Sequence, residues 1–240
     1  TGRGAAGAGA GRADALASPV CGALAPRGIG GVVRRTVPRA SRRGGLLEAF
    51  DARMPFELTA GQREVAAEIA KDLASEHPMH RLLQGEVGSG KTVVALRAML
   101  SVIDSGGQAA LLAPTEVLAS QHFRSITSML GDLAEHGMLG GSEIGTRVTL
   151  LTGSQPTGLR RKSLLAAASG EAGIVIGTHA LIQEHVQFFD LGLVVVDEQH
   201  RFGVEQREAL RSKGKQPPPV LVMTAPPIPR PGARAGVGDR

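Results

Sequence analysis

Apolar positions recur along the chain in two alternating patterns. Short runs of Val, Ile, Leu and Ala alternate with longer stretches in which apolar residues return at helical spacing. Six of the short runs predict buried strands: RLLQ, AALLA, RVTLL, GIVIGT, LGLVVVD and PVLVMTA. Continuous apolar strands separated by amphipathic helices are typical of a parallel sheet covered on both faces. The pattern therefore predicts one α/β domain over residues 46–225, a parallel sheet sandwiched by helices.

Helices are predicted between these runs. The first follows Thr59, a residue type that favours the N-cap, and places Val65, Ile69 and Leu73 on one face. Further helices are expected near residues 90–104, from Glu116, near 157–168 and over 202–213.

The two ends of the chain have a different composition. Residues 1–45 and 226–240 are rich in Gly, Ala, Arg and Pro and show no sustained period. Such segments bury too little apolar surface to offset chain entropy, so both are predicted to be disordered tails. An organellar transit peptide or a cationic arm that touches nucleic acid stays open for the first of them.

Charge is distributed unevenly. Eight arginines and one aspartate give residues 1–45 a charge of +7, and residues 226–240 carry +2, so the total of +5 leaves −4 for residues 46–225. The basic pI is thus a property of the ends and does not by itself indicate DNA binding. One cysteine and no continuous apolar span predict a cytoplasmic protein without a membrane segment, and a first residue other than Met suggests a fragment.

One turn between a predicted strand and helix has the composition of a phosphate-binding loop. Gly85, Gly90, Lys91 and Thr92 satisfy the pattern G-x-x-x-x-G-K-[ST]. Glycines let successive amides face phosphates, the lysine reaches the terminal ones, and the threonine hydroxyl can bind Mg²⁺. The predicted nucleotide-binding residues of this loop are Gly85, Glu86, Val87, Gly88, Ser89, Gly90, Lys91 and Thr92.

Two carboxylates follow another apolar run. Asp197 and Glu198 stand where the strand LGLVVVD leaves the core. With Thr92, Asp197 would hold Mg²⁺ through water, and Glu198 would orient or deprotonate an attacking water. An acidic strand end that caps the next helix is the simpler alternative.

These motifs resemble a known family. VVVDEQHRFG is similar to superfamily 2 helicases, and with RLLQGEVGSGKT, LLAPTEVLASQH and TAPPIPR it closely resembles the RecG family of ATP-dependent DNA helicases. The resemblance implies a RecA-like P-loop NTPase domain that uses ATP and Mg²⁺ and acts on DNA, branched or single- or double-stranded. It also implies catalytic roles for Lys91, Asp197, Glu198, Gln199 and His200.

Further roles follow from the same resemblance. PFELTAGQ is similar to an adenine-recognising motif, with Phe56 packing on the ring and Gln62 reading the base edge, although a solvated Gln62 at a helix start is an alternative. Thr224 and Ala225 would couple hydrolysis to DNA movement. The implied DNA contacts are Pro114, Thr115, Glu116, Thr152, Gly153, Ser154, Gly177, Thr178 and His179.

The chain also departs from the family. Pro226 replaces a threonine of the coupling motif, which removes a hydroxyl and a backbone N–H. Neither the second RecA-like lobe nor the wedge domain of the family is recognisable. We therefore expect a monomeric first motor lobe of an enzyme that remodels forks and Holliday junctions, unable to unwind DNA alone. A transcription-repair coupling translocase, a P-loop phosphotransferase and a non-catalytic binding fragment are the alternatives.

Overall fold

The computed structural model describes residues 20–23, 35–134, 144–197, 209 and 212–225. These residues form one twisted sheet of seven strands in the order β1-β2-β7-β6-β3-β5-β4. The strands are β1 Val20–Ala23, β2 His80–Gln84, β3 Gln108–Leu112, β4 Arg147–Leu151, β5 Ala172–Gly177, β6 Leu191–Asp197 and β7 Val220–Thr224. All neighbouring pairs from β2 to β4 are parallel, and β1 joins the edge antiparallel to β2. The predicted α/β class is confirmed, with one edge strand more than the sequence indicated.

Five α-helices accompany the sheet in the described residues. They are α1 Leu46–Arg53, α2 Ala60–Leu73, α3 Lys91–Asp104, α4 Glu116–Leu130 and α5 Thr157–Ser169, with short 3₁₀ helices at Gly131–Ala134 and His179–Ile182. The predicted helices near 90–104, from Glu116 and near 157–168 are confirmed. The helix predicted over 202–213 lies mostly outside the described residues. None of the helices in the described part of the chain is long and apolar enough to cross a membrane.

Side chains of successive strand residues enter two separate cores, one on each face of the sheet. In β6, Leu193 and Val195 belong to the larger core, which α1, α2, α3 and α4 cover. Val194 and Val196 belong to the second core, to which α5 contributes Ala166 and other residues. Both faces of the central strands are thus buried, which explains why these strands are apolar without alternation.

Part of the predicted N-terminal tail lies in the segment that the structure describes before α1. Residues 35–45 run along the sheet edge at which the parallel strands begin, and Arg39 is buried there. Its Nη2 donates to both carboxylate oxygens of Asp190, at 2.8 Å each, and its backbone N–H donates to the carbonyl of Leu73. The structure thus describes residues 20–23 and 35–45 within the predicted tail, and the ion pair that places Arg39 joins it to a residue 151 positions away, which composition cannot indicate. The predicted domain start at residue 46 stays a prediction.

Candidate functional site

The predicted phosphate loop joins β2 to α3 at the edge where the parallel strands end. The loop turns sharply because Gly88 and Gly90 adopt positive φ values of 86° and 78°, a conformation that costs other residues about 1–2 kcal/mol. A Cβ at Gly90 would also lie 2.2 Å from Nε2 of Gln62. The positive φ and the short distance to Gln62 both favour glycine at position 90.

Two polar side chains of this loop lie in contrasting settings. The ammonium group of Lys91, at the start of α3, donates to the carbonyls of Gly85 and Glu86. Burial lowers the pKa of Lys91, and the nearby Asp197 carboxylate acts against that shift. The hydroxyl of Ser89 is buried and has no hydrogen-bond partner among the residues that the structure describes. An orphaned hydroxyl inside a curled loop fits a site that receives an oxygen-rich ligand.

Asp197 ends β6 and is only 9% exposed. β6 does not pair with β2, because β7 lies between them. Since all three strands are parallel, their carboxyl ends still meet at one edge, close enough for Asp197 to act on Lys91. Glu198, Gln199 and His200 lie outside the described residues.

His122 is a member of this site to which the sequence assigned no role. It lies in the second turn of α4, and its Nε2 is 2.6 Å from Oδ2 of Asp197. Both side chains are largely buried, at 14% and 13% exposure. The two residues are 75 positions apart, so local spacing gave no signal for the contact.

Gln62 connects the start of α2 to the phosphate loop. Thr59 and Gln62 form a capping box, in which Oε1 of Gln62 accepts the backbone N–H of Thr59. Nε2 of the same amide donates to the carbonyl of Ser89 at 2.9 Å. The alternative of a solvated Gln62 is therefore wrong. Phe56 is half exposed and lines an open cleft of about 430 Å³ together with Arg63 and Arg97.

The predicted DNA-contacting segments follow β3, β4 and β5, the other half of the same sheet edge. Pro114 and Thr115 precede α4, and Oγ1 of Thr115 accepts the N–H of Leu118 as an N-cap. The carboxylate of Glu116 accepts both the hydroxyl and the N–H of Ser154, the latter at 3.0 Å. These bonds lower the pKa of Glu116, the hydroxyl contributing most.

Not every predicted contact is available as a side chain. Thr152 and Thr178 are 3% and 1% exposed, so their hydroxyls cannot reach a DNA phosphate in this conformation. Gly177 ends β5, and a Cβ there would lie 2.2 Å from the carbonyl of Leu151. Gly153 adjoins Glu116, and His179 begins a 3₁₀ helix. In this group, only backbone groups, Ser154 and His179 are candidates for contact.

The predicted coupling residues end β7, between the strands that carry the loop and Asp197. The carbonyl of Thr224 accepts the N–H of Gly85 at 3.3 Å, and its hydroxyl donates to the carbonyl of Ala225. Pro226 lies outside the described residues. A shift of β7 would therefore displace Gly85, the first glycine of the phosphate loop.

The donor set suits magnesium better than a transition metal. Within the described ranges, no group of three or more His, Cys, Asp and Glu residues could hold a metal ion. Thr92 and Asp197 offer one hydroxyl and one carboxylate, and Mg²⁺ commonly keeps several waters and takes its remaining ligands from phosphates. The residues therefore fit Mg²⁺ bound together with a nucleotide.

A parallel sheet whose carboxyl edge joins a phosphate loop to a buried aspartate defines a nucleotide-binding lobe. A model of the DEAD/DEAH box helicase family matches residues 59–232, which is more than half of the chain. The chain belongs to this family.

Particular relatives sharpen this assignment. The chain is 59% identical over 202 residues to the ATP-dependent DNA helicase RecG of Mycobacterium bovis, covering 83% of this chain and 27% of the relative. It is 49% identical over 191 residues to RecG of Streptococcus pneumoniae, covering 80% and 26%. A solved structure of RecG bound to a three-way DNA junction matches with a TM-score of 0.67 and 42% identity, over 82% of this chain and 24% of that one.

The resemblance predicted from the motifs is thus confirmed. The chain spans about a quarter of the length of the curated relatives it matches. The alignment over 202 residues is longer than the predicted domain, residues 46–225.

Proposed function

We propose that this chain is the ATP-binding motor lobe of a RecG-type helicase that remodels branched DNA. The observation that carries the proposal is the convergence of Lys91 and Asp197 at one sheet edge, where the carboxylate acts on the ammonium group. One cationic side chain on a curled loop and one buried carboxylate opposite it are what a magnesium-bound triphosphate requires.

Each residue of the loop has a distinct task in this proposal. The amides of residues 86–91 and the start of α3 face the phosphates, and Lys91 exchanges the loop carbonyls for phosphate oxygens. Thr92 and, through water, Asp197 would hold Mg²⁺, which neutralises charge on the phosphates when bound. Glu198, next along the chain, would orient the attacking water.

The base and the DNA would occupy separate places. The cleft beside Phe56 has the size of a small-molecule pocket and adjoins Arg63, which directly follows Gln62. Adenine would stack there, and Gln62 would sense it through its bond to Ser89. DNA would lie across the ends of β3, β4 and β5, where backbone amides and Ser154 position the phosphates.

The experiment that tests this proposal is nucleotide binding by Lys91→Ala. We expect Mg·ATP affinity to fall about 10- to 100-fold, because a hydrogen bond to a charged group contributes about 1.5–3 kcal/mol. Lys71→Ala, on the exposed side of α2, is the matched control and should bind like the wild type. Equal affinity of Lys91→Ala and wild type would show that the loop does not hold the phosphates.

Hydrolysis measured with and without a three-way DNA junction tests the motor role. We expect binding but slow turnover, because the resemblance assigns the charge-stabilising arginine to a second lobe, and such an arginine contributes about 10³–10⁵ in rate in related enzymes. Stimulation by the junction would support a DNA-dependent motor. Phosphoryl transfer to a small molecule in the absence of DNA would instead favour a phosphotransferase.

A further inference from the structure

Helix α4 contacts both halves of the sheet edge at which the parallel strands end, which we call the functional edge. Its first residue, Glu116, binds Ser154 in a predicted DNA-contacting loop, and its seventh, His122, binds Asp197 at the predicted magnesium site. The two residues are separated by about 9 Å along the helix axis, at 1.5 Å per residue.

We propose that His122 is a positioning residue that fixes the Asp197 carboxylate and links the DNA-contacting loops to the magnesium site. This inference rests on the proposed function. Since an ionised carboxylate only accepts hydrogen bonds, Nε2 of His122 donates to Oδ2 of Asp197. That bond holds one oxygen, and the other, Oδ1, is the one that would meet a metal ion or its bound water.

The surroundings of α4 make it able to transmit a displacement. Ala119, Ile126 and Leu130 bury one side of the helix in the larger core, so a displacement at one end would be transmitted along the whole helix. The N-terminus of α4 is fixed by the Thr115 cap and by the hydrogen bond of Glu116 with Ser154. A shift of the loop at Ser154 would therefore turn or translate His122, and with it the Asp197 carboxylate.

The contact between His122 and Asp197 also provides a coupling route that does not pass through the motif altered by Pro226. Pro226 removes a hydroxyl that the resemblance assigns to coupling. The route through α4 uses Glu116 and His122 instead and stays intact in this sequence. Side chains that orient metal-binding residues typically change metal affinity about 10- to 100-fold when they are removed.

The test compares nucleotide affinity in excess Mg²⁺ with affinity in a chelator, using the full 240-residue chain. His122→Leu should lower the gain in ATP affinity caused by Mg²⁺ about 10-fold and leave the affinity in chelator unchanged. His122→Gln, which keeps a donor at a similar distance, should retain the gain. His77→Leu, at an exposed histidine, is the matched control.

The link to DNA has its own measurement. A three-way DNA junction should change Mg·ATP affinity in the wild type and in His122→Gln but not in His122→Leu. If His122→Leu does not fold, His122→Asn serves instead, because its amide is too short to reach Asp197 and should give the same loss.

Two results would overturn the inference. If His122→Leu and His122→Asn both kept the wild-type gain in ATP affinity caused by Mg²⁺, the bond to Asp197 would have no positioning role. Retention of the DNA effect in those variants would show that α4 does not carry it. If instead Lys91→Ala binds Mg·ATP as well as the wild type does, the proposed function itself fails.

Discussion

The two edges of the sheet use polar side chains in opposite ways. Where the strands begin, Gln108 donates to two carbonyls and accepts the N–H of Asp190, and Asp104 accepts the amides of Leu46 and Leu47. Where the strands end, the chain turns at glycines with positive φ. The buried hydroxyls of Ser89 and Thr178 there lack hydrogen-bond partners in the described part of the chain.

This difference in hydrogen bonding distinguishes residues that stabilise the fold from residues that are available to bind a ligand. A buried polar group without a partner costs about 1–3 kcal/mol, so it persists where a ligand supplies the missing bond. Where the strands begin, Arg39, Asp104 and Gln108 offset that cost through the hydrogen bonds given above. Mutations where the strands begin should therefore change stability without changing ligand affinity, whereas mutations of the phosphate loop should also lower ligand affinity.

The largest effect on stability is expected for Arg39→Ala. The variant leaves the Asp190 carboxylate without its buried cation, and breaking such a pair costs about 3–5 kcal/mol. Urea unfolding should show this loss, whereas Mg·ATP affinity measured on folded protein should not change. Arg35→Ala is the control, because the Arg35 side chain is 77% exposed beside Glu76 and such pairs contribute about 0–1 kcal/mol. Equal stability of the two variants would contradict the contrast between the edges.

Gly90→Ala should have an intermediate effect and act at the other edge. The left-handed conformation costs a non-glycine residue about 1–2 kcal/mol, and the new Cβ displaces the Gln62 amide. ATP affinity should fall together with stability. Gly158→Ala, a position with open space in the first turn of α5, should instead be neutral or stabilising by up to about 1 kcal/mol. A stable, fully binding Gly90→Ala would argue against the close packing of Gln62 on the loop.

The smallest effect is expected for Glu116→Gln, and it depends on pH. The hydrogen bonds from Ser154 lower the pKa of Glu116, so the stabilisation is present above its ordinary value of 4.5 and is lost as pH falls through the lowered value. Thermal melts of Glu116→Gln and wild type should differ near neutral pH and converge in acid. Melting curves that stay apart at low pH would mean that the charge of Glu116 is not what holds the loop.

Local patterns in the sequence predicted the six parallel strands, the helix after Thr59, the helices α3, α4 and α5, and the turn between β2 and α3, because each depends on neighbouring residues. Thr59 and Gln62 also have the spacing of a capping box, a local signal that could have excluded a solvated amide. The contacts of Arg39 with Asp190 and of His122 with Asp197 join distant positions. No period or motif encodes them, and only the folded chain brings these pairs together.

The most direct test of the convergence at the functional edge is a double-mutant cycle on Mg·ATP affinity with Lys91→Ala and Asp197→Asn. Groups that act on one bound magnesium-triphosphate are coupled, so the combined loss should differ from the sum of the single losses by about 0.5–3 kcal/mol. Strictly additive losses, or an Asp197→Asn variant that binds Mg·ATP like the wild type, would contradict it.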